Sequence, residues 1–374
     1  MANKKIVFLT GTRADFGKIK TLIQSVEKHI DFEPYIFVTG MHLLQEYGYT
    51  LIEVERCGFK YISKFHNHTD EATMDLTLAK TINGFSEYVK NIQPDLIIVH
   101  GDRVEALAGA IVGSLNNILV AHIEGGELSG TIDELIRHSV SKLSHIHYTS
   151  NDEAKKRLIQ MGELDESIFV IGSPDVDIMF SDNLPHLDEV KRYYQIDFNS
   201  YAVAMFHPVT TEIDEIQDRA NQYVEALIES DRNYVVIYPN NDLGSKHILK
   251  AYEKFKGNTR FKVFPSIRFE YFLTLLKKSN FIIGNSSAGV REAPYYGIST
   301  INIGNRQLNR ASSSKIVNVP CEKELILEAF NNLSKTIEIS NKTFGKGNSA
   351  QLFLDSLESK EVWSINHQKQ FKDA

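Results

Sequence analysis

The chain has 374 residues, 42% hydrophobic and 24% charged, with a formal net charge of −7. That composition describes a globular protein long enough for two ordinary domains, each with material for a core. The negative balance disfavours nucleic acid or an anionic membrane as partner, because the overall field repels both; a local basic pocket for a phosphate-bearing small molecule stays compatible.

Cys57 and Cys321 stand far apart, a pattern expected of reduced thiols in the cytoplasm rather than of a disulfide framework. The opening MANKKIVFLTGTR reads as a first β-strand and not as a signal peptide. Nothing approaches the run of about 18 apolar residues that a membrane span needs.

In chain order, KIVFLT, YIFVT, DLIIVH, NILVAH and SIFVIG read as buried parallel strands, rich in Val and Ile without alternation. Between them, Glu71–Ile92 spaces its apolar residues three and four apart, as an amphipathic helix does. The rhythm pauses at Gly172–Val190, where Gly, Pro and Asp cluster, and resumes with YAVAMFH, YVVIYPN, FKVFPS, NFIIGN and STINIGN. A helical run, Glu212–Ser230, lies between the first two of these. The expected fold is α/β: two Rossmann-like domains with a cleft between them. We set the domains at 1–174 and 175–354, with a C-terminal helix at about 355–374, near Trp363, packing back on the first.

Two strand ends carry concentrated charge. DLIIVHGDRVEA places Asp102 and Arg103 just past a strand, and AHIEGGELSGTIDELIRHS packs Glu124, Glu127, Asp133 and Glu134 with His122, Arg137 and His138. Carboxylates at the carboxyl edge of a parallel sheet are where an α/β enzyme keeps its acid/base groups. Glu127 and Glu134 read as surface or supporting residues, and Asp133 has an alternative reading as a plain helix-start carboxylate.

The turn Gly11–Lys20 follows the first strand, and Arg13 and Lys18 flank it as candidate anion-binding cations. It is neither a P-loop nor GxGxxG, since five residues separate its glycines and Ile19 follows Lys18. In the second half, Phe281–Gly297 runs strand, Gly-Asn-Ser-Ser, helix, so that Ser286 and Ser287 could hold a diphosphate or simply cap the helix. A helix dipole contributes merely ~0.3–1 kcal/mol; Arg291, Arg306 and Arg310 supply the added charge that favours the diphosphate. His207 ends a strand and is expected to contact phosphate or relay a proton, whereas His42 is the weaker candidate, at a helix start. Asp175-Val176-Asp177 resembles a metal-binding DxD but reads as a turn, and His66-Asn67-His68 lacks a partner pattern, so neither a metal nor a cofactor is expected.

GTRADFGK, VTGMH, HGDR, HIEGGELSGTIDELIRH, HPVTTE, PNNDLGSK, GNSSAGVRE and GNRQLNR together resemble the hydrolysing UDP-N-acetylglucosamine 2-epimerases, in the right order from about residue 4 to 310. The resemblance implies the GT-B architecture and a two-stage reaction. The C2 proton of UDP-GlcNAc is removed as UDP leaves, giving 2-acetamidoglucal, and water then adds to give N-acetylmannosamine for sialic-acid-type sugars. Matching by motif, it implies Asp102, Glu124 and Asp133 as the acidic residues and Arg13, His42, Arg103 and His207 as cleft-lining groups. Lys246, Ser286, Ser287, Glu292 and Arg306 fall at nucleotide-binding positions, with Lys18 counted among the substrate contacts. The partners expected are UDP-GlcNAc, UDP and further copies of the chain as a homodimer or larger homo-oligomer. Which carboxylate performs which proton transfer stays open. So do a relative acting on a UDP-2,4-diacetamido-trideoxyhexose, a GT-B glycosyltransferase and a catalytically silent nucleotide-sugar sensor.

Overall fold

A computed structural model describes residues 3–68, 73–129, 131–307, 315–333 and 343–372. The chain forms two compact units: Met1–Glu127, Asp133–Ser181 and Thr343–Ala374 make the first, and Leu128–Ile132 with Asp182–Lys342 the second. Each unit is built on a wholly parallel sheet.

The first sheet contains β1 (Lys4–Thr10), β2 (Phe32–Val38), β3 (Ile62–Lys64), β4 (Leu96–His100), β5 (Leu119–Ile123), β6 (Ile146–Thr149) and β7 (Ile168–Val170), in the order β3-β2-β1-β4-β5-β6-β7. The second contains β8 (Ala202–Met205), β9 (Tyr234–Ile237), β10 (Phe261–Phe264), β11 (Phe281–Gly284), β12 (Ser299–Ile303) and β13 (Ile316–Val319), ordered β10-β9-β8-β11-β12-β13. The central strands are covered on both faces, which is why Ile6, Val7, Phe8, Ile97, Ile98 and Val99 are all fully buried and their segments do not alternate. In each sheet the chain winds outward from one central strand, then returns to wind the other way. The reversal falls between β1 and β4 in the first sheet and between β8 and β11 in the second. Ligands of open parallel sheets bind at the carboxyl ends of the strands flanking such a reversal.

Helices begin where the turns supply caps. The helix Arg13–Glu27 opens on a capping box: Thr12 Oγ1 accepts from Asp15 N (3.2 Å) and Asp15 Oδ1 accepts from Thr12 N (3.0 Å). Asp15 also accepts from Thr10 Oγ1 (2.6 Å) and Gly11 N (3.0 Å), so one carboxylate shapes the whole turn after β1.

The first unit is completed from far along the chain. Phe353 and Leu357 of the helix Ser349–Glu358, with Val362 beyond it, share a core with Phe8, Ile146 and Tyr148. Phe353 meets the Tyr148 ring edge-on at 5.0 Å, and the Tyr148 hydroxyl pairs with Ser356 Oγ at 2.8 Å. Further on, Lys369 Nζ donates to the carbonyls of Ser141 (2.9 Å) and Ser144 (2.6 Å) and pairs with buried Glu163 (2.6 Å). Burial alone would raise the Glu163 carboxyl, but His147, Lys369 and Lys142 around it hold it down at about 2. No helix among the described residues is long and apolar enough to cross a membrane.

Replacing Phe353 with Ala should lower unfolding stability by ~3–5 kcal/mol, the usual cost of deleting a buried aromatic ring. Chemical denaturation followed by near-ultraviolet circular dichroism checks this, and a loss under 1 kcal/mol would mean that the core closes without the helix.

Candidate functional site

At the reversal of the first sheet, the turn after β1 brings Gly11 and Arg13, and the turn after β4 brings Asp102 and Arg103. The turn after neighbouring β5 brings Glu124, which has a left-handed backbone (φ 64°). For a non-glycine residue that conformation costs of order 1–2 kcal/mol. It persists because the surroundings hold both ends of the peptide: Glu124 N donates to Tyr148 O (2.9 Å), and Glu124 O accepts from Arg137 Nη1 (2.6 Å). Gly126 follows at φ +74°, where a Cβ would run into the Ala154 carbonyl.

The Glu124 side chain, 2% exposed, is enclosed by polar groups. Ser173 Oγ donates to its Oε1, Lys18 Nζ lies 3.3 Å away, and His100 Nε2 is 3.3 Å from Oε2. Lys18 also sits 3.4 Å from Asp175, which is 2% exposed. Expected as a substrate contact, Lys18 is therefore engaged in a buried ion cluster, and Asp175-Val176-Asp177 is not a turn. It lies in a helix, Pro174–Met179, because Pro174 at the first position suits a helix start. Asp177 accepts from the backbone N–H groups of Ser349 (2.8 Å) and Ala350 (2.7 Å).

Arg137, 1% exposed, ties Glu124 to the neighbouring turn: its Nη2 pairs with Asp102. Asp133 lies one turn earlier on the same helix, Ile132–Leu143, half-buried and on the Arg137 side. His122 Nε2 donates to Gly101 O (2.8 Å), which leaves Nδ1 to accept from Ser141 Oγ (3.0 Å). Burial holds this imidazole well below its ordinary range and so neutral at pH 7. Glu127 is not a surface residue: 3% exposed, it accepts from Ser150 Oγ (2.7 Å) because its turn folds inward against β6. Glu134 pairs with His138 at 3.6 Å.

His42, expected to line the site, is wholly buried behind the β1 turn. Its nitrogens are taken by Thr10 Oγ1 (3.0 Å) and Thr50 Oγ1 (2.8 Å). Arg103 pairs with buried Glu105 at 3.3 Å. Gly40, at φ +61°, could not carry a Cβ, which would fall 2.5 Å from Gly11 O and 2.7 Å from Glu105 Oε1. The His66-Asn67-His68 segment serves this same packing: Asn67 accepts from Gly40 N (3.0 Å), and His68 Nε2 meets Gly40 O (2.8 Å). Among the described residues, no group of three His, Cys, Asp or Glu side chains is placed to hold a metal ion.

In the second unit, the ends of β8, β9 and β11 meet at the other reversal. Asn285 clamps His207 in both directions, accepting from His207 N (2.6 Å) and donating to His207 O (2.8 Å). His207 Nδ1 accepts from Asn240 N (3.0 Å), which leaves Nε2 as the nitrogen able to donate. Arg306 Nη1 (3.4 Å) and Gln307 Nε2 (3.0 Å) both donate to Asn285 O. Ser286 caps as expected, its Oγ accepting from Ala288 N (3.3 Å). No long helix follows, however: Ser287–Gly289 is a 3₁₀ turn and Glu292–Tyr295 a single α-turn. Gly289 has Thr300 packed where a Cβ would be, and Pro294 donates no backbone hydrogen bond. The N–H groups and hydroxyls of Ser286 and Ser287, rather than a macrodipole, are what this turn offers an anion. Glu292 and Arg291 are buried (4% and 2% exposed), and Lys246 is exposed in the first turn of the helix Ser245–Tyr252. Arg310 lies outside the described residues.

Sequence reasoning gave no role to Ser173, His100 or Asn285, named Arg137 only within its charged run, and read Asp175 as part of a turn. Asn285 carried a local signal, as the residue directly after a strand and before two serines.

The family model for UDP-N-acetylglucosamine 2-epimerase matches residues 24–358. The chain belongs to this family. It is 46% identical to a UDP-N-acetylglucosamine 2-epimerase of Neisseria meningitidis serogroup B, over 99% of both chains. It is 31% identical to a UDP-N,N'-diacetylbacillosamine 2-epimerase (hydrolyzing) of Legionella pneumophila, over 93% of this chain and 94% of that one. Among solved structures, the Methanocaldococcus jannaschii UDP-GlcNAc 2-epimerase in complex with UDP-GlcNAc and UDP has the same fold, with a TM-score of 0.81 at 22% identity, covering 95% of this chain and 99% of that chain. The two-sheet α/β architecture is thus that of the epimerase family.

Burial holds His42 down at about 4, against the opposing pull of Asp15. An unfolded histidine binds a proton at about 6.5, so between pH 6.5 and 4 the unfolded state takes up protons that the folded state refuses. His42 therefore contributes a loss of stability as pH falls through that window, up to about 3 kcal/mol. Urea titrations at pH 7 and pH 4.5 should show a smaller acid-induced loss for His42→Gln than for the parent, and equal losses would refute the assignment.

Proposed function

We propose that this chain is a hydrolysing UDP-GlcNAc 2-epimerase, converting UDP-GlcNAc and water to N-acetylmannosamine and UDP through 2-acetamidoglucal. The observation that supports the reading is the buried Glu124 cluster beside the Arg137–Asp102 pair, two carboxylates at and next to a sheet reversal that we read as proton-handling groups. The 46% identity to a UDP-GlcNAc 2-epimerase supports this substrate over the diacetamido-trideoxy sugar, whose epimerase is 31% identical. A glycosyltransferase leaves C2 untouched and would have no use for a set of proton-handling carboxylates.

In the first stage the C2–H and C1–O bonds break together. The proton goes to a carboxylate, the C1–C2 double bond forms, and the electron pair of the C1–O bond leaves on the diphosphate. A hydrogen on a carbon that bears an amide nitrogen is barely acidic, so departure of a well-held diphosphate must drive its removal. Arg306, His207 through Nε2, and the hydroxyls and N–H groups of Ser286 and Ser287 are the donors for that diphosphate. Lys246, from the same unit, adds charge. In the second stage water adds across the double bond, its oxygen to C1 and a proton to C2, which calls for one base and one acid. Asp102, Glu124 and Asp133 are the groups available for these transfers. We place the enzyme in the cytoplasm, in keeping with its two free cysteines, and expect a homo-oligomer, which sedimentation would test.

Incubation with UDP-GlcNAc in D2O, followed by proton NMR, should give free N-acetylmannosamine deuterated at C2 together with UDP. Accumulated UDP-N-acetylmannosamine would overturn the hydrolytic assignment. Asp102→Asn, Glu124→Gln and Asp133→Asn should each lower kcat by about 10²–10⁴-fold; parental rates in all three would remove these residues from the chemistry.

A further inference from the structure

Lys18 is a single ammonium set against two carboxylates. Its Nζ lies 3.3 Å from Glu124 and 3.4 Å from Asp175, and both acidic side chains are 2% exposed. Asp175 reaches this place from the helix Pro174–Met179, an element separate from those that carry Lys18 and Glu124. A helix of six residues offers little dipole to a carboxylate, and the Lys18 ammonium is the cation set against Asp175.

Other elements also bring polar and charged groups to Glu124. Ser173, just ahead of Asp175, donates a neutral hydrogen bond to Oε1. His100, from β4, stands 3.3 Å from Oε2. Arg137, on the helix Ile132–Leu143, holds the Glu124 carbonyl and is matched by Asp102. His122, two residues earlier on β5, is kept neutral by burial. Asp177, on the same helix as Asp175, is held by the Ser349 and Ala350 N–H groups. A buried carboxylate that shares its ammonium with a second carboxylate holds a proton more readily than one that has the ammonium to itself.

We propose that Asp175 is a positioning residue that governs whether Glu124 carries a proton, by competing with it for Lys18. With Asp175 ionised, Lys18 is divided and Glu124 can accept a proton and release it again. Without Asp175, the undivided ammonium fixes Glu124 as a carboxylate and makes it a weaker base. At the cluster itself nothing changes but the position of this proton; no other bond forms or breaks. The proposal rests on reading Glu124 as a proton-handling group of the epimerase.

Opposite substitutions must then act in opposite directions. The full chain is compared with Asp175→Asn, Lys18→Met, the double variant and Asp175→Glu. One readout is the pH dependence of kcat/KM and kcat with UDP-GlcNAc. The other is the infrared titration of the protonated-carboxyl band in ligand-free protein, assigned to Glu124 by its disappearance in Glu124→Gln. Asp175→Asn should move the Glu124 band and the acid limb of the rate profile to lower pH by about one unit or more, and Lys18→Met should move both to higher pH. The double variant should return toward the parent, and Asp175→Glu should restore the band. A slow Asp175→Asn enzyme with an unmoved limb and band would overturn the proposal, as would single variants that shift in the same direction. If Lys18→Met does not fold, the contrast between Asn and Glu at position 175 still decides it. Should the parent leave UDP-GlcNAc unconverted, the functional reading fails by itself, and the infrared titration remains a test of the charge competition.

Discussion

Arg137 reaches two turns at once, donating from one guanidinium nitrogen to the Glu124 carbonyl and from the other to the Asp102 carboxylate. Neither contact is exchangeable for water, because the side chain is 1% exposed. The planar fork of an arginine suits this task in a way a lysine does not. It keeps the Glu124 peptide in a left-handed conformation that an isolated chain would abandon, and it sets a positive charge against Asp102. Removing one partner of such a buried pair strands the other charge and typically costs 3–5 kcal/mol. The acidic edge of the first unit is thus stabilised from beneath, by a cation that is not itself part of the open surface.

The two units solve the problem of positioning differently. In the first, charges set the geometry: Asp15 folds the turn after β1, Glu105 packs beneath Gly11 and Gly40, and Lys18 draws Glu124 and Asp175 together. In the second, a neutral amide does the equivalent work. Asn285 grips both the N–H and the carbonyl of His207, and its own carbonyl gathers Arg306 and Gln307. The contrast suits the proposed function. An edge that moves protons needs groups of adjustable charge, whereas one that grips an anion needs donors fixed in direction.

Much of this was legible in the residues. Strands covered on both faces announce themselves as unbroken Val/Ile runs, and all five named in each half are present. The placement of Asp102 and Glu124 at the carboxyl edge was legible because each closely follows such a strand. What stayed hidden was everything that depends on tertiary closure. Asp175 read as a turn because Ser-Pro-Asp is locally turn-like, and nothing in that tripeptide points to a lysine some 150 residues away. His42, read as a helix-start residue and set in the cleft by the resemblance alone, is instead closed over by Thr10 and Thr50 from either side. The helix expected after Ser287 failed for a local reason that was visible: Gly289 and Pro294 interrupt it.

The helix bearing Phe353 has a consequence for biosynthesis. The first unit takes its closing hydrophobic piece from residues translated after the whole of the second. While the ribosome is at work, the leading half of the chain therefore has an open apolar trough flanked by Phe8 and Tyr148. The trailing half, whose strands are contiguous in the message, has everything it needs sooner. Its order of maturation is consequently the reverse of its order of synthesis, and the interval during which the trough waits is when the nascent protein is most prone to aggregate.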